Sequence, residues 1–100
     1  MLEMIESFAD KATENIFNGV NSVEARKSLP RELWRVAFRK LDQIDSASRL
    51  DDLLVPPGNR LESLKGERSG QHSIRINDQY RICFVWSQAG AAAVEIVDYH

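Results

Sequence analysis

Disulfides are the first thing this chain lacks. Its single cysteine, Cys83, cannot close an internal bridge and lies inside an apolar run, where it reads as a small core residue in a reducing compartment. Metal motifs are missing as well. His72 and His100 are the only histidines, no Cys-x-x-Cys occurs, and no acid pair stands at ligand spacing from a histidine. The five glycines stand apart, so there is no phosphate-cradling or dinucleotide loop, and no nucleophile elbow surrounds a serine. Neither a metal nor an organic cofactor is expected. No apolar run reaches the roughly 18 residues of a membrane span, and no basic stretch followed by an apolar block opens the chain. The expectation is a cytoplasmic protein with no membrane partner. A length of 100 residues fits one domain, residues 1–100, able to bury about two-thirds of its unfolded surface.

A large charge of either sign is also absent, since the net charge is −2. The distribution is more telling. From Arg26 to Lys40, six basic residues (Arg26, Lys27, Arg31, Arg35, Arg39, Lys40) stand against Glu32 alone. From Arg60 to Arg81, five basic residues stand against Glu62, Glu67 and Asp78. Local positive fields on a weakly acidic chain fit either phosphate contact at a site or ordinary solvated faces.

The N-terminal half reads mainly as helix. Met4 to Phe8 is short enough for an edge strand around Ile5. Asp10 can cap a helix from about Lys11 to Asn18, with Gly19 as its stop. Val20 to Leu29 has sparse apolar residues and turn-prone polar ones, so its order is expected to depend on a partner. Pro30 suits the first turn of a helix from about Arg31 to Ala47. Trp34, Ala37, Leu41 and Ile44 form its apolar stripe, widened by Leu33 and Phe38. Arg31, Arg35 and Arg39 recur at spacings of four on a different face, a basic ridge. Leu50 to Val55 reads as a helical turn, and Pro56-Pro57-Gly58-Asn59 ends helical structure.

The C-terminal half alternates with period two, the pattern of half-buried antiparallel strands. Ile74 and Ile76 share one face, against Ser73, Arg75 and Asn77. Tyr80, Ile82, Phe84 and Trp86 share a face, against Arg81, Cys83 and Val85. Asn77-Asp78-Gln79 predicts the hairpin between them, and a last strand over Val94 to Val97 delivers Asp98-Tyr99-His100. Helices on one face of an antiparallel meander make the fold class α+β. The other face would be partly open, displaying Arg75, Arg81 or their neighbours.

Chemistry on such a scaffold falls to acid–base and electrostatic groups. Arg81 interrupts an apolar strand, so its guanidinium either meets an anion such as phosphate or forms a structural pair with Glu95 or Asp98. His100 can give or take a proton, and Tyr99 can stack on a base or pack at the sheet edge. Lys65 and Arg68 flank Gly66 in a loop that could hold a nucleic-acid backbone. His72 shares the face of Ile74 and reads as structural.

The run PPGNRLESLKGERSGQHSIRINDQYRICFVW, followed by VEIVDYH, resembles the HigB-type toxins of the RelE superfamily, also known as plasmid-maintenance killer proteins. The likeness is dense over residues ~56–100. The first 55 residues match only in order of elements and in an MIESF-like start. The resemblance implies a RelE-like fold with N-terminal helices packed on a curved antiparallel sheet. It also implies ribosome-dependent cleavage of mRNA in the A site, in which a ribose 2′-hydroxyl attacks the adjacent phosphate without a metal. Arg81 would stabilise charge on that phosphate, His100 would transfer a proton, Tyr99 would orient RNA, and Asp98 would position the others. Lys65 would contact phosphate, and the Arg31-Arg35-Arg39 ridge could meet rRNA. Glu62 stands where some members carry a proton-transferring histidine. A carboxylate is a base but a poor proton donor at neutral pH, so the identity of the base stays open. The implied partner is a HigA-type helix-turn-helix antitoxin, through which operator DNA would be met only indirectly. Two other readings remain: a non-catalytic RelE-fold toxin of the gyrase-inhibitor type, and an inactive toxin serving only as co-repressor.

Overall fold

The computed structural model describes residues 5–99. Among these residues, three α-helices precede a four-stranded antiparallel sheet in simple meander order, β1-β2-β3-β4. The α+β expectation holds.

Helix α1 is Lys11–Asn18, as its caps require. Asp10 Oδ1 accepts the Thr13 N–H at 2.8 Å, and Gly19 turns left-handed with φ 75° at the far end. Helix α2, Val23–Ser28, corrects the expectation that this stretch is turn-prone. Ser22 caps it, its Oγ accepting from Ala25 N at 3.0 Å and from Asn15 Nδ2 of α1 at 2.8 Å. Ala25 and Leu29 are buried, so two small contacts suffice for a six-residue helix packed on α1.

A 3-10 turn, Arg31–Leu33, leads into α3, Trp34–Ser46, so the α-helix starts later than its proline suggests. Ala37, Leu41 and Ile44 are fully buried. Phe38 leaves the stripe: it is 45% exposed and stacks on Phe17 at 6.0 Å. Lys40 leaves the basic surface and is buried, its Nζ donating to Asn59 Oδ1. Burial pushes the Lys40 ammonium pKa down, and neighbouring Arg39 adds to the effect. Leu50–Leu54 is a 3-10 turn, and Pro57–Asn59 is another, so helical structure does not end at Pro56.

The sheet comprises β1 (Glu62–Ser63), β2 (His72–Arg75), β3 (Tyr80–Ser87) and β4 (Gly90–Asp98). The LESLKG run therefore supplies only two strand residues. Ile74, Ile82, Phe84, Val94 and Ile96 pack with α3 into one core. A bulge opposite Cys83–Val85, with Ala93 at φ 52°, inserts an extra residue into β4, so Ala91 and Val94 both reach the core. This is why strict alternation saw only the end of β4. Ile5 and Phe8 bridge β4 in parallel, and Ser7 Oγ accepts the Ala93 N–H at 2.9 Å. Met4 lies outside the described residues. Farther along, Ile96 N–H donates to Thr13 Oγ1 of α1 at 3.0 Å.

Candidate active site

The face of the sheet turned away from the helices carries the polar alternates. Arg75 pairs with Arg81 across β2 and β3, and Arg81 with Val97 across β3 and β4. The hairpin tip is set by an Asx turn in which Asn77 Oδ1 accepts from Gln79 N at 2.9 Å and Tyr80 N at 2.8 Å. Between this tip and the turn after Asn59 lies a cleft of about 280 Å³, lined by Arg60, Glu62, Arg75, Asn77, Asp78, Arg81 and Tyr99.

Arg81 is its floor. The residue is 9% exposed, yet its guanidinium is held on three sides. Nε donates to Ser73 Oγ at 2.8 Å, Nη2 donates to the Arg60 carbonyl at 2.6 Å, and Glu62 Oε1 stands 3.7 Å from Nη2. The Tyr99 ring lies 5.7 Å from its central carbon, a cation–π contact. Nη1 makes no hydrogen bond among the described residues and is not sealed off, so it remains available to the cleft. The carboxylate beside Arg81 is thus Glu62, rather than Glu95 or Asp98. A guanidinium fixed by neutral acceptors and only loosely neutralised by a half-exposed acid is ready for an anion. Arg75 pairs with Asp78 at the rim.

Of the residues the sequence pointed to, Arg81, Tyr99 and Glu62 converge here. Asp98 does not. It stands opposite Tyr80, on the other face of the sheet, and accepts from Gln79 Nε2 at 3.2 Å. Arg68 is committed elsewhere, bonding Gln71 Oε1 at 3.0 Å and Glu95 Oε1 at 3.3 Å. Lys65 is exposed at the start of the 3-10 turn Gly66–Arg68 and does not line the cleft. Arg31, Arg35 and Arg39 are exposed on α3 and the turn before it, outside the cleft, and Arg31 lies 5.5 Å from the Trp34 ring. His100 lies outside the described residues.

Cys83 is buried, but on this polar face opposite Glu95 rather than in the helix-side core. Burial pushes its thiol pKa up. His72 stands opposite Phe84 across β2 and β3, their rings 6.3 Å apart. Sequence reasoning missed Arg60, Asn77 and Asp78, and it named Arg75 only as a face residue. Alternation could have flagged Arg75. Arg60 needed the turn's geometry.

A family model described as the RelE-like toxin of type II toxin–antitoxin system HigB matches residues 6–100. The chain belongs to this HigB family of RelE-like toxins. Among relatives of this HigB-family chain, Toxin HigB-1 of Vibrio cholerae is 37% identical over 97 residues, spanning 97% of this chain and 98% of that one. An uncharacterized protein of Haemophilus influenzae is 38% identical over 61 residues, 61% of this chain and 60% of its own length. Among solved structures, a chain of the YoeB-YefM complex from Staphylococcus aureus shares the fold with a TM-score of 0.59 at 15% identity, covering 97% of this chain and 98% of that chain. No helix among the described residues is long and apolar enough to cross a membrane.

Proposed function

We propose that this HigB-family toxin is a ribosome-dependent endoribonuclease that cuts mRNA in the A site and so inhibits translation. The carrying observation is the Arg81 guanidinium, fixed by Ser73 and Arg60 beneath Tyr99 with one edge open to the cleft. In the reaction the ribose 2′-oxygen forms a bond to the adjacent phosphorus and the bond to the 5′-oxygen breaks. The products are a 2′,3′-cyclic phosphate and a 5′-hydroxyl. Arg81 meets the charge that accumulates on the phosphoryl oxygens, where preorganised donors act most strongly. Glu62, beside Arg81, takes the 2′-hydroxyl proton, and His100 delivers one to the departing oxygen. Tyr99 stacks on a base. Asp98 is a positioning residue: its carboxylate accepts from the Gln79 side-chain Nε2, and the Gln79 backbone carbonyl accepts the Tyr99 N–H at 2.6 Å. Arg31, Arg35, Arg39, Lys65 and Arg68 contribute positive potential toward ribosomal RNA.

The partner proposed is a HigA-type antitoxin, a helix-turn-helix protein that would bring the pair to operator DNA. Membership of a toxin–antitoxin family supports such a partner.

A translating-ribosome assay with primer extension tests the reading. Wild type should create discrete new 5′ ends in mRNA, and Arg81→Ala and His100→Ala should lose about 10²-fold or more in rate. Translation arrest without new ends would instead indicate a binding toxin. Cutting indifferent to both substitutions would remove the assigned site.

A further inference from the structure

Both acids of the cleft are engaged. Glu62 accompanies Arg81 and Asp78 pairs with Arg75. Arg60 lines the same cleft, yet its side chain makes no hydrogen bond or ion pair among the described residues. Among the described residues, one positive charge is therefore left without an acidic partner on the wall beside Arg81.

The backbone there is unusual too. Arg60 is left-handed, with φ 47° and ψ 57°, a conformation that disfavours any residue bearing a Cβ. Asn59, the residue before it, is tied down from below. Its fully buried amide accepts from Lys40 Nζ and donates to Gln43 Oε1 at 3.1 Å and to the Leu53 carbonyl at 3.2 Å. The turn is thereby anchored to α3, and the next carbonyl, that of Arg60, is delivered to Arg81. Glycine could present that carbonyl without strain. Arginine adds a second guanidinium at the same place.

We propose that Arg60 is a second phosphate contact of this cleft, holding the RNA phosphate next to the one at Arg81, with Asn59 as the positioning residue beneath it. The choice of RNA rests on the endoribonuclease reading; the anion site does not.

Two measurements on full-length Arg60→Ala, Arg60→Lys and an Arg26→Ala control test it. In the first, inorganic phosphate is titrated into the free protein and followed by arginine Nε–Hε NMR signals. Wild type and Arg26→Ala should show the same saturable response, and Arg60→Ala should bind about tenfold more weakly, the loss of one charged hydrogen bond. In the second, ribosomes carry mRNA with a 2′-O-methyl group at the A-site codon, so binding is read without chemistry. Arg60→Ala should bind about tenfold more weakly with a salt slope smaller by about 0.7, Arg60→Lys should recover most of the affinity, and cleavage of unmodified mRNA at saturation should stay near wild type. An unchanged phosphate titration, or slower saturated cleavage with unchanged binding, overturns the proposal. If wild type cuts no mRNA but Arg60→Ala still loses phosphate, the cleavage reading falls and the anion site stands.

Discussion

Arg81 concentrates the chemistry of the proposed site in one residue. Its planar fork reaches Ser73 Oγ and the Arg60 carbonyl at once while keeping an edge free. A lysine ammonium has no such geometry. Arg81→Lys should therefore keep the charge and still lose about 10²-fold in mRNA cleavage, measured on translating ribosomes. Cys83 yields a prediction of a different kind. Burial raises its thiol pKa in the fold, so between the unfolded value of about 8.5 and the folded value the unfolded chain holds fewer protons. Stability is then present in full below that window and is lost as pH rises through it. Urea midpoints at pH 7 and pH 9.5 should fall further for wild type than for Cys83→Ala. The strand's alternation announced Arg81 and the burial of Cys83, but not their partners. Which acid meets a guanidinium depends on register between strands far apart in sequence, and the acid proved to be Glu62.

At the scale of elements, the turn Pro57–Asn59 matters more than its length suggests. Asn59→Ala would leave the Lys40 ammonium buried without its acceptor and should cost about 2–4 kcal/mol in urea unfolding. Lys40→Met with Asn59→Leu should regain part of that loss, because no unpaired polar group remains. Helix α2 offers a milder case: Ser22→Ala removes the bonds to Ala25 N and Asn15 Nδ2 and should cost about 1 kcal/mol by the same measurement. Helix α1 and the β2–β3 hairpin were legible because their signals are local: Asp10 and Gly19 as caps, Asn77 in the turn. Helix α2 was not, since its amphipathic pattern is too short and its packing on α1 supplies what periodicity would otherwise show. Arg60 escaped notice because its proposed role comes from a left-handed backbone that no motif in the sequence marks.

Across the whole molecule, the charge distribution separates two positive regions. One is the cleft; the other is the exposed Arg31-Arg35-Arg39 row. Reversing Arg35 and Arg39 to glutamate should weaken ribosome binding at least tenfold at low salt, with the difference shrinking as salt rises, while leaving urea stability within about 1 kcal/mol. Equal ribosome affinity for the double variant would detach that row from the proposed function. The segment of residues 5–9 and Thr13 together occupy backbone groups along the outer side of β4. At the opposite side the sheet ends in β1, only two residues long. An incoming extended peptide that tried to lengthen the sheet would find one flank already filled and the other a two-residue stub. Side chains on the faces and helices are what such a peptide would meet instead, and single substitutions there can tune the contact.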